Sequence, residues 1–141
     1  MANDGGDFAR SMSIATSGLR AQAGRMRVIS ENIANADSTA PTAAGDPYRR
    51  KIPTFSSELD RTLDAKVVAL GKVRPDASAF RVKHEPGNPA ADAAGNVKYP
   101  NVNPLIEMTD MREAQRFYEA NLNIISATRR MIQRTLDILK A

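Results

Sequence analysis

The sequence contains no cysteine, which excludes disulfides, thiolate metal sites and cysteine nucleophiles. It contains one histidine, His84, whereas a zinc site needs three or four converging ligands; no metal site is expected. His84 stands between Lys83 and Glu85 and reads as a surface residue on a strand or at its end. Aromatic residues make up 5% of the chain, with no tryptophan, so the core must come mainly from Leu, Ile, Met and Ala, a mixture suited to thin helical packing. No apolar run approaches the ~20 residues of a membrane span, and no direct membrane insertion is expected. Asp4, Asp7 and Arg10 interrupt the first residues, so no cleavable secretion signal is predicted. The glycines form neither a dinucleotide fingerprint nor a P-loop, and no cofactor is expected. Asp60 and Asp64 fall one helical turn apart and read as a solvated face. Nothing in the chain assembles a catalytic constellation, so an enzyme is not expected.

The net charge of +4 points first to nucleic acid or an anionic surface. Its distribution weakens that reading. Residues 1–40 carry four basic and four acidic side chains, residues 41–103 ten and seven, and residues 104–141 six and five. The tight cluster outside the helical ends is Arg49-Arg50-Lys51. A small basic helical nucleic-acid-binding protein is therefore the alternative reading, and it rests on that cluster.

All eight prolines lie between Pro41 and Pro104. Proline inside a helix costs about 3 kcal/mol or more, so their distribution marks two helical ends around an irregular middle. In the first segment, positions spaced alternately four and three apart read Phe8, Met12, Ala15, Leu19, Gln22, Met26, Ile29 and Ile33. A register held this long is a coiled-coil signal. Gln22 is its one break: it either specifies pairing register or, on the simpler reading, sits at the seam's edge in reach of water. Asp7 is the expected N-cap, and Asn35 the expected stop, through a left-handed conformation. Gly18 and Gly24 fall in a row of small residues with Ala15 and Ala21, which permits close helix approach or is incidental.

In the last segment Asn103 can cap and Pro104 suits the first helical position. From there the register reads Met108, Met111, Gln115, Tyr118, Leu122, Ile125, Arg129, Ile132, Leu136 and Leu139, flanked every seven residues by Phe117, Ile124, Met131 and Ile138. The stripe is wider than a two-stranded seam requires, which predicts more than one partner helix. Between the ends, Lys66–Val73 and Ala79–His84 are the strand candidates, parted by the turn-like Pro75-Asp76-Ala77-Ser78. Tyr48–Phe55 has some extended character, Ser56–Ala65 reads as a short helix, and Pro86-Gly87-Asn88-Pro89 and Asp92–Asn96 read as turn and loop. The fold class is therefore mainly α: long N- and C-terminal helices paired as a coiled coil, with a small β-hairpin or extended middle segment. Residues 1–38 and 103–141 are expected to form one discontinuous coiled-coil domain, with 39–102 as an irregular, partly β segment between them.

Several blocks carry a resemblance. Asn32-Ile33-Ala34-Asn35-Ala36-Asp37-Ser38 resembles the N-x-A-N-A/S signature that closes the first helix of bacterial flagellar rod and hook proteins. Pro47-Tyr48-Arg49-Arg50-Lys51 and Val97-Lys98-Tyr99-Pro100-Asn101-Val102-Asn103 resemble motifs of the proximal-rod members of that family. Glu107-Met108 and Arg116-Phe117-Tyr118-Glu119-Ala120-Asn121 look like its E-M and R-x-Y-x-A-N segment. The likeness runs from about residue 8 to the C-terminus. The family's D-P-x-H-P loop stands here as Glu85-Pro86-Gly87-Asn88-Pro89, and Asn96 replaces a tyrosine.

The resemblance implies a structural subunit of the flagellar basal-body rod, in the periplasm, exported unprocessed by the flagellar type III apparatus. It implies that the terminal helices pair and pack with copies of the chain and with other rod proteins: proximal rod subunits, the adaptor at the membrane-embedded MS ring, and the distal rod. Such an assembly transmits torque and surrounds the export channel, while the middle segment makes contacts between neighbours. No nucleic acid is implied.

Overall fold

The computed structural model describes residues 4–140. Two long helices, α1 (Asp4–Ala34, 31 residues) and α2 (Pro104–Lys140, 37 residues), flank six short strands. These are β1 (Lys51–Ile52), β2 (Phe55–Asp60), β3 (Ala65–Leu70), β4 (Arg74–Pro75), β5 (Arg81–His84) and β6 (Asn96–Tyr99), paired antiparallel as β1–β4, β2–β3 and β5–β6. The mainly α class with a small sheet-forming middle is thus observed. At ~1.5 Å per residue, α2 is roughly 55 Å long.

Helix ends follow local chemistry. Asn103 Oδ1 accepts the Leu105 amide at 3.1 Å, and Pro104 occupies the first position of α2, as the sequence predicts. Asp7, expected as a cap, lies inside α1, which already runs from Asp4. There it remains near the positive end of the helix dipole and 3.7 Å from Arg10 one turn on. Asn35 ends α1 without a left-handed backbone: the sole non-glycine residue with positive φ among those described is Asp64. Instead, the Asn35 amide and Nδ2 both donate to the Glu31 carbonyl, at 3.2 and 2.8 Å, and Ser38 N closes the next turn on Asn35 O at 3.2 Å.

The chain falls into two compact units. One comprises α1 to Met26, residues 54–72 and α2 from Glu113. Within it, β2 and β3 form a hairpin in register from Phe55↔Leu70 to Asp60↔Ala65. The expected helix over 56–65 is therefore absent. The local helical preference of Ser-Ser-Glu-Leu-Asp is overridden by pairing with the valine-bearing β3. The turn is built by Asp60 Oδ1, which accepts the Thr62 and Leu63 amides at 2.9 and 3.3 Å, and by Asp64 at φ 47°. The hairpin is tied to α1: Arg10 Nε donates to Leu63 O at 2.7 Å, and Val68 N to Ser17 Oγ at 3.2 Å.

The glycines of α1 mark close approach. A Cβ at Gly24 would stand 2.7 Å from Leu70 Cδ2, and one at Gly18 2.8 Å from the Asn121 carboxamide. In the same unit Arg25 pairs with Glu113 at 2.6 Å. Gln22 departs from expectation. Its Oε1 is buried with no hydrogen-bond partner, because its row on α1 runs between Ala15 and Ile29, each 2% exposed.

The other unit comprises residues 27–53 and 73–112. Its apolar centre is small: Ala90, Val97 and Tyr99 pack together, and Val102 is also buried. Residues 96–99, read as the end of a loop and the start of a motif, form β6 and pair with β5.

Candidate functional site

The motif blocks converge in this second unit. At the end of α1, Asn32 is fully buried. Its Oδ1 accepts the Tyr48 hydroxyl and the Lys51 amide, both at 2.9 Å, and its Nδ2 donates to Lys51 O at 2.9 Å and Glu107 Oε2 at 3.1 Å. Glu107, in the first turn of α2, is 1% exposed. Its other oxygen accepts Arg50 Nε at 2.5 Å. Arg50 also reaches Asp76 at 3.4 Å and Asp110 at 3.8 Å. A buried carboxylate is tolerated only when paired and hydrogen-bonded; here Asn32 and Arg50 supply both.

Asn101 extends the cluster. Its Oδ1 accepts the Arg50 amide at 2.8 Å, and its Nδ2 donates to Ser78 Oγ at 2.9 Å and to the carbonyls of Asp76 and Ser78 at 3.2 Å. Arg49 donates to the same carbonyls at 2.8 and 3.0 Å and lies 4.1 Å over the Phe80 ring. Pro100 O accepts Arg81 Nε at 2.9 Å, and Ala36 O accepts Arg81 Nη2 at 2.7 Å. Pro47, Ala36, Tyr99 and Pro100 are buried. In the 85–96 loop, Glu85 accepts the Tyr99 hydroxyl at 2.8 Å and Asn88 Nδ2 at 3.2 Å, so the altered residues of this loop still close on one another.

The electrostatics follow from these contacts. Burial, then the charges of Glu31 and Glu107, push the Tyr48 hydroxyl up to about 12. Burial opposes the Arg50 charge, but Glu107 and then Asp76 outweigh it and raise the guanidinium above its ordinary value. The Ser78 amide and hydroxyl, with Arg50, hold Asp76 below the usual carboxylate range. Tyr99 likewise lowers Glu85.

Each cation of Arg49-Arg50-Lys51 is engaged within the chain: Arg49 binds carbonyls, Arg50 binds Glu107, and Lys51 Nζ, still partly exposed, pairs with Glu31. Among the described residues no group of three or more His, Cys, Asp and Glu side chains is placed to hold a metal ion, and no helix is long and apolar enough to cross a membrane. The cluster ties separate segments of the chain to one another.

The heptad residues are placed differently. On α1, Ile29 is buried, while Phe8, Met12, Leu19, Met26 and Ile33 are half-buried. On α2, Met111, Tyr118, Ile125 and Ile132 are half-buried. Phe117, Leu122, Ile124 and Met131 are 41–49% exposed and Leu139 77%. The most buried positions of α2 are Glu107, Ala114 and Thr128, a row one residue away from the one read as 108, 115, 122 and 129. Apolar periodicity does not register that row, because its members are small or polar; the motif blocks did contain Glu107 and Asn121 of it.

The comparisons now define the class. Residues 12–40 match the family described as flagella basal body rod protein, and residues 93–138 the family described as flagellar basal body rod FlgEFG protein C-terminal. The flagellar basal-body rod protein FlgC of Agrobacterium fabrum is 55% identical over 91% of this chain and 92% of its own length. FlgC of Bacillus subtilis is 38% identical over 92% and 97%, and FlgC of Salmonella typhimurium 38% over 89% and 92%. The chain belongs to the FlgC family of flagellar basal-body rod proteins. It is a structural subunit of the flagellar basal body and not an enzyme.

Proposed function

We propose that this chain is a proximal-rod subunit that polymerises through its terminal helices into the drive shaft and the wall of the export channel. The observation that carries this reading is the apolar face left open on α2. Phe117, Ile124, Met131 and Ile138, one heptad apart, are 48–76% exposed, and Leu136 and Leu139 are 45 and 77% exposed. An isolated chain gains nothing from that face, and apolar surface of this extent marks an interface. Its partners are copies of the chain and the neighbouring rod subunits, including the rod-base adaptor and the distal rod. The chain reaches its place in the periplasm through the flagellar export apparatus.

In this reading the terminal segments pair as a coiled coil. Three cross-helix meetings support it: Gly18 with Asn121, Arg25 with Glu113, and Asn32 with Glu107. They step by seven along α1 while descending along α2, the spacing of an antiparallel heptad pair. Residues 39–102 supply contacts between neighbouring subunits. The motif residues Asn32, Tyr48, Arg50 and Asn101 act by holding that arrangement.

The test is a charged substitution on the pairing face. Leu122→Asp or Ile125→Asp is expected to abolish rod assembly and motility while the protein is still synthesised; normal swimming by either variant would reject the proposal.

A further inference from the structure

Two strand edges of this chain are left open, and each is shaped to accept the other. Among the described residues β2 pairs only with β3, and β5 only with β6. The hydrogen-bond parity of each hairpin fixes which backbone groups face outward. In the β2–β3 hairpin, Gly71 N donates to Thr54 O at 2.6 Å, while Val68 N turns away from β2 to Ser17 Oγ. Bonded and non-bonded pairs alternate in an antiparallel ladder. Phe55, Ser57 and Leu59 therefore direct their N–H and C=O groups off the free edge of β2. In the other hairpin, Glu85 N donates to Gly95 O at 2.8 Å. By the same alternation, Val82 and His84 direct theirs off the free edge of β5.

The edges differ in charge. β2 carries Glu58 and Asp60, and β5 carries Arg81 and Lys83. Each edge repels a second copy of itself, which is a common guard against edge-to-edge pairing, and each attracts the other. Leu59 is 57% exposed and Val82 62%, so both edges also present an apolar residue to solvent.

We propose that β2 of one subunit adds to β5 of a neighbouring copy as an antiparallel strand pair. One register satisfies both parity and charge: Leu59 opposite Val82, Ser57 opposite His84, and Glu58 opposite Lys83. The first two positions exchange backbone hydrogen bonds, and the third is a non-bonded position, where side chains lie closest. Among the described residues neither Glu58 nor Lys83 has an ion-pair partner; Lys83 lies 4.5 Å over the Tyr99 ring. Asp60 falls opposite Arg81 and adds less, since it caps its own turn and Arg81 is held by Pro100 and Ala36. Because the two edges are different surfaces, the contact is head-to-tail and adds copies without being self-limiting. This inference rests on the reading of the chain as an assembling rod subunit, and it names a contact which that reading leaves open.

The cysteine-free sequence gives a direct test. Two single variants, E58C and K83C, are co-expressed in a flagellated host lacking its own copy, and purified basal bodies are oxidised. A cross-linked dimer containing one of each variant is expected, and it should be lost when S57C replaces E58C, since that side chain points to the other face. Basal bodies that hold both variants but yield no mixed dimer would overturn the strand pairing while leaving the rod assignment intact. If the cysteine variants do not enter the rod, swimming of charge reversals decides. E58K and K83E should each remove most motility, and the double reversal should restore it. Single reversals without effect, or a double variant no better than the worse single, would equally overturn the proposal.

Discussion

The two ends of α2 show opposite uses of one helix. At its start, Glu107 is 1% exposed and bonded to Asn32 and Arg50. At its finish, Ile138 and Leu139 are more than three-quarters exposed. A charged side chain is buried and apolar ones are in solvent, which inverts the usual rule for a folded monomer. The inversion is physically consistent if the start of the helix is finished within the chain and the end is finished by other subunits. Polar groups must be satisfied wherever they are buried, so the closed end carries a saturated network. Apolar groups need only a partner, so the open end can wait for one.

The largest effect should come from Glu107→Ala. Removing the carboxylate takes from Arg50 its shortest ion pair and from Asn32 Nδ2 one acceptor; since Arg50 keeps Asp76 and Asp110, the cost should be about 3 kcal/mol, the lower end for breaking a buried pair on one side. Urea unfolding of the purified chain should show it; a shift below about 1 kcal/mol would mean that the closed end is not closed. Asn32→Leu should follow at about 2–3 kcal/mol, since it leaves the Tyr48 hydroxyl, the Lys51 amide and Glu107 without an acceptor or donor, and the same unfolding curve reads it.

Tyr48→Phe should cost about 1 kcal/mol near neutral pH, the net worth of one hydrogen bond. It should also change the alkaline limb. In the folded chain Tyr48 titrates at about 12, against 10.0 ordinarily. Between those values the unfolded chain releases a proton that the folded chain retains, so stability falls as pH rises from about 10 to about 12. The phenylalanine variant should lose that part of the slope; an unchanged slope would place the titration elsewhere. The smallest effect on the isolated chain belongs to Ile138→Ser, which should stay within about 0.5 kcal/mol of the parent in unfolding yet fail to enter basal bodies. A large destabilisation of the free chain would erase the contrast between the two ends.

Much of this was legible in the sequence, unevenly. The proline distribution and the Asn103-Pro104 pair located the start of α2 to the residue, because a cap and a fixed backbone angle act locally. The wide apolar stripe was legible because its periodicity survives two polar breaks, Gln115 and Arg129, and because the flanking row Phe117, Ile124, Met131 and Ile138 is unbroken. The hairpin at 55–70 was misread at Ser56–Ala65, since its strand state depends on a partner that local propensity does not see. Arg49-Arg50-Lys51 invited a nucleic-acid reading, because three adjacent cations look alike in sequence. Only the fold reveals a separate acceptor for each, and the buried acid that receives Arg50 lies 57 residues away. The motif blocks marked the right residues, and their joint purpose, a shared buried polar cluster, required the structure.

The pairing of Asn32 with Glu107 also has a consequence for alignment. A heptad stripe is degenerate under translation: sliding one helix along another by seven residues, roughly 10 Å, sets apolar against apolar again. Asn32 and Glu107 have no counterpart seven residues away, where Arg25, Thr39, Pro100 and Ala114 stand. In the proposed pairing, a slip of one heptad would set Glu107 against Arg25 and Asn32 against Pro100, and the hydrogen bond between Asn32 and Glu107 would be lost. If the terminal helices pair by heptads, as proposed, the cluster is a vernier mark: the periodic stripe measures the helices against each other modulo one heptad, and the polar match of Asn32 with Glu107 says which heptad is meant.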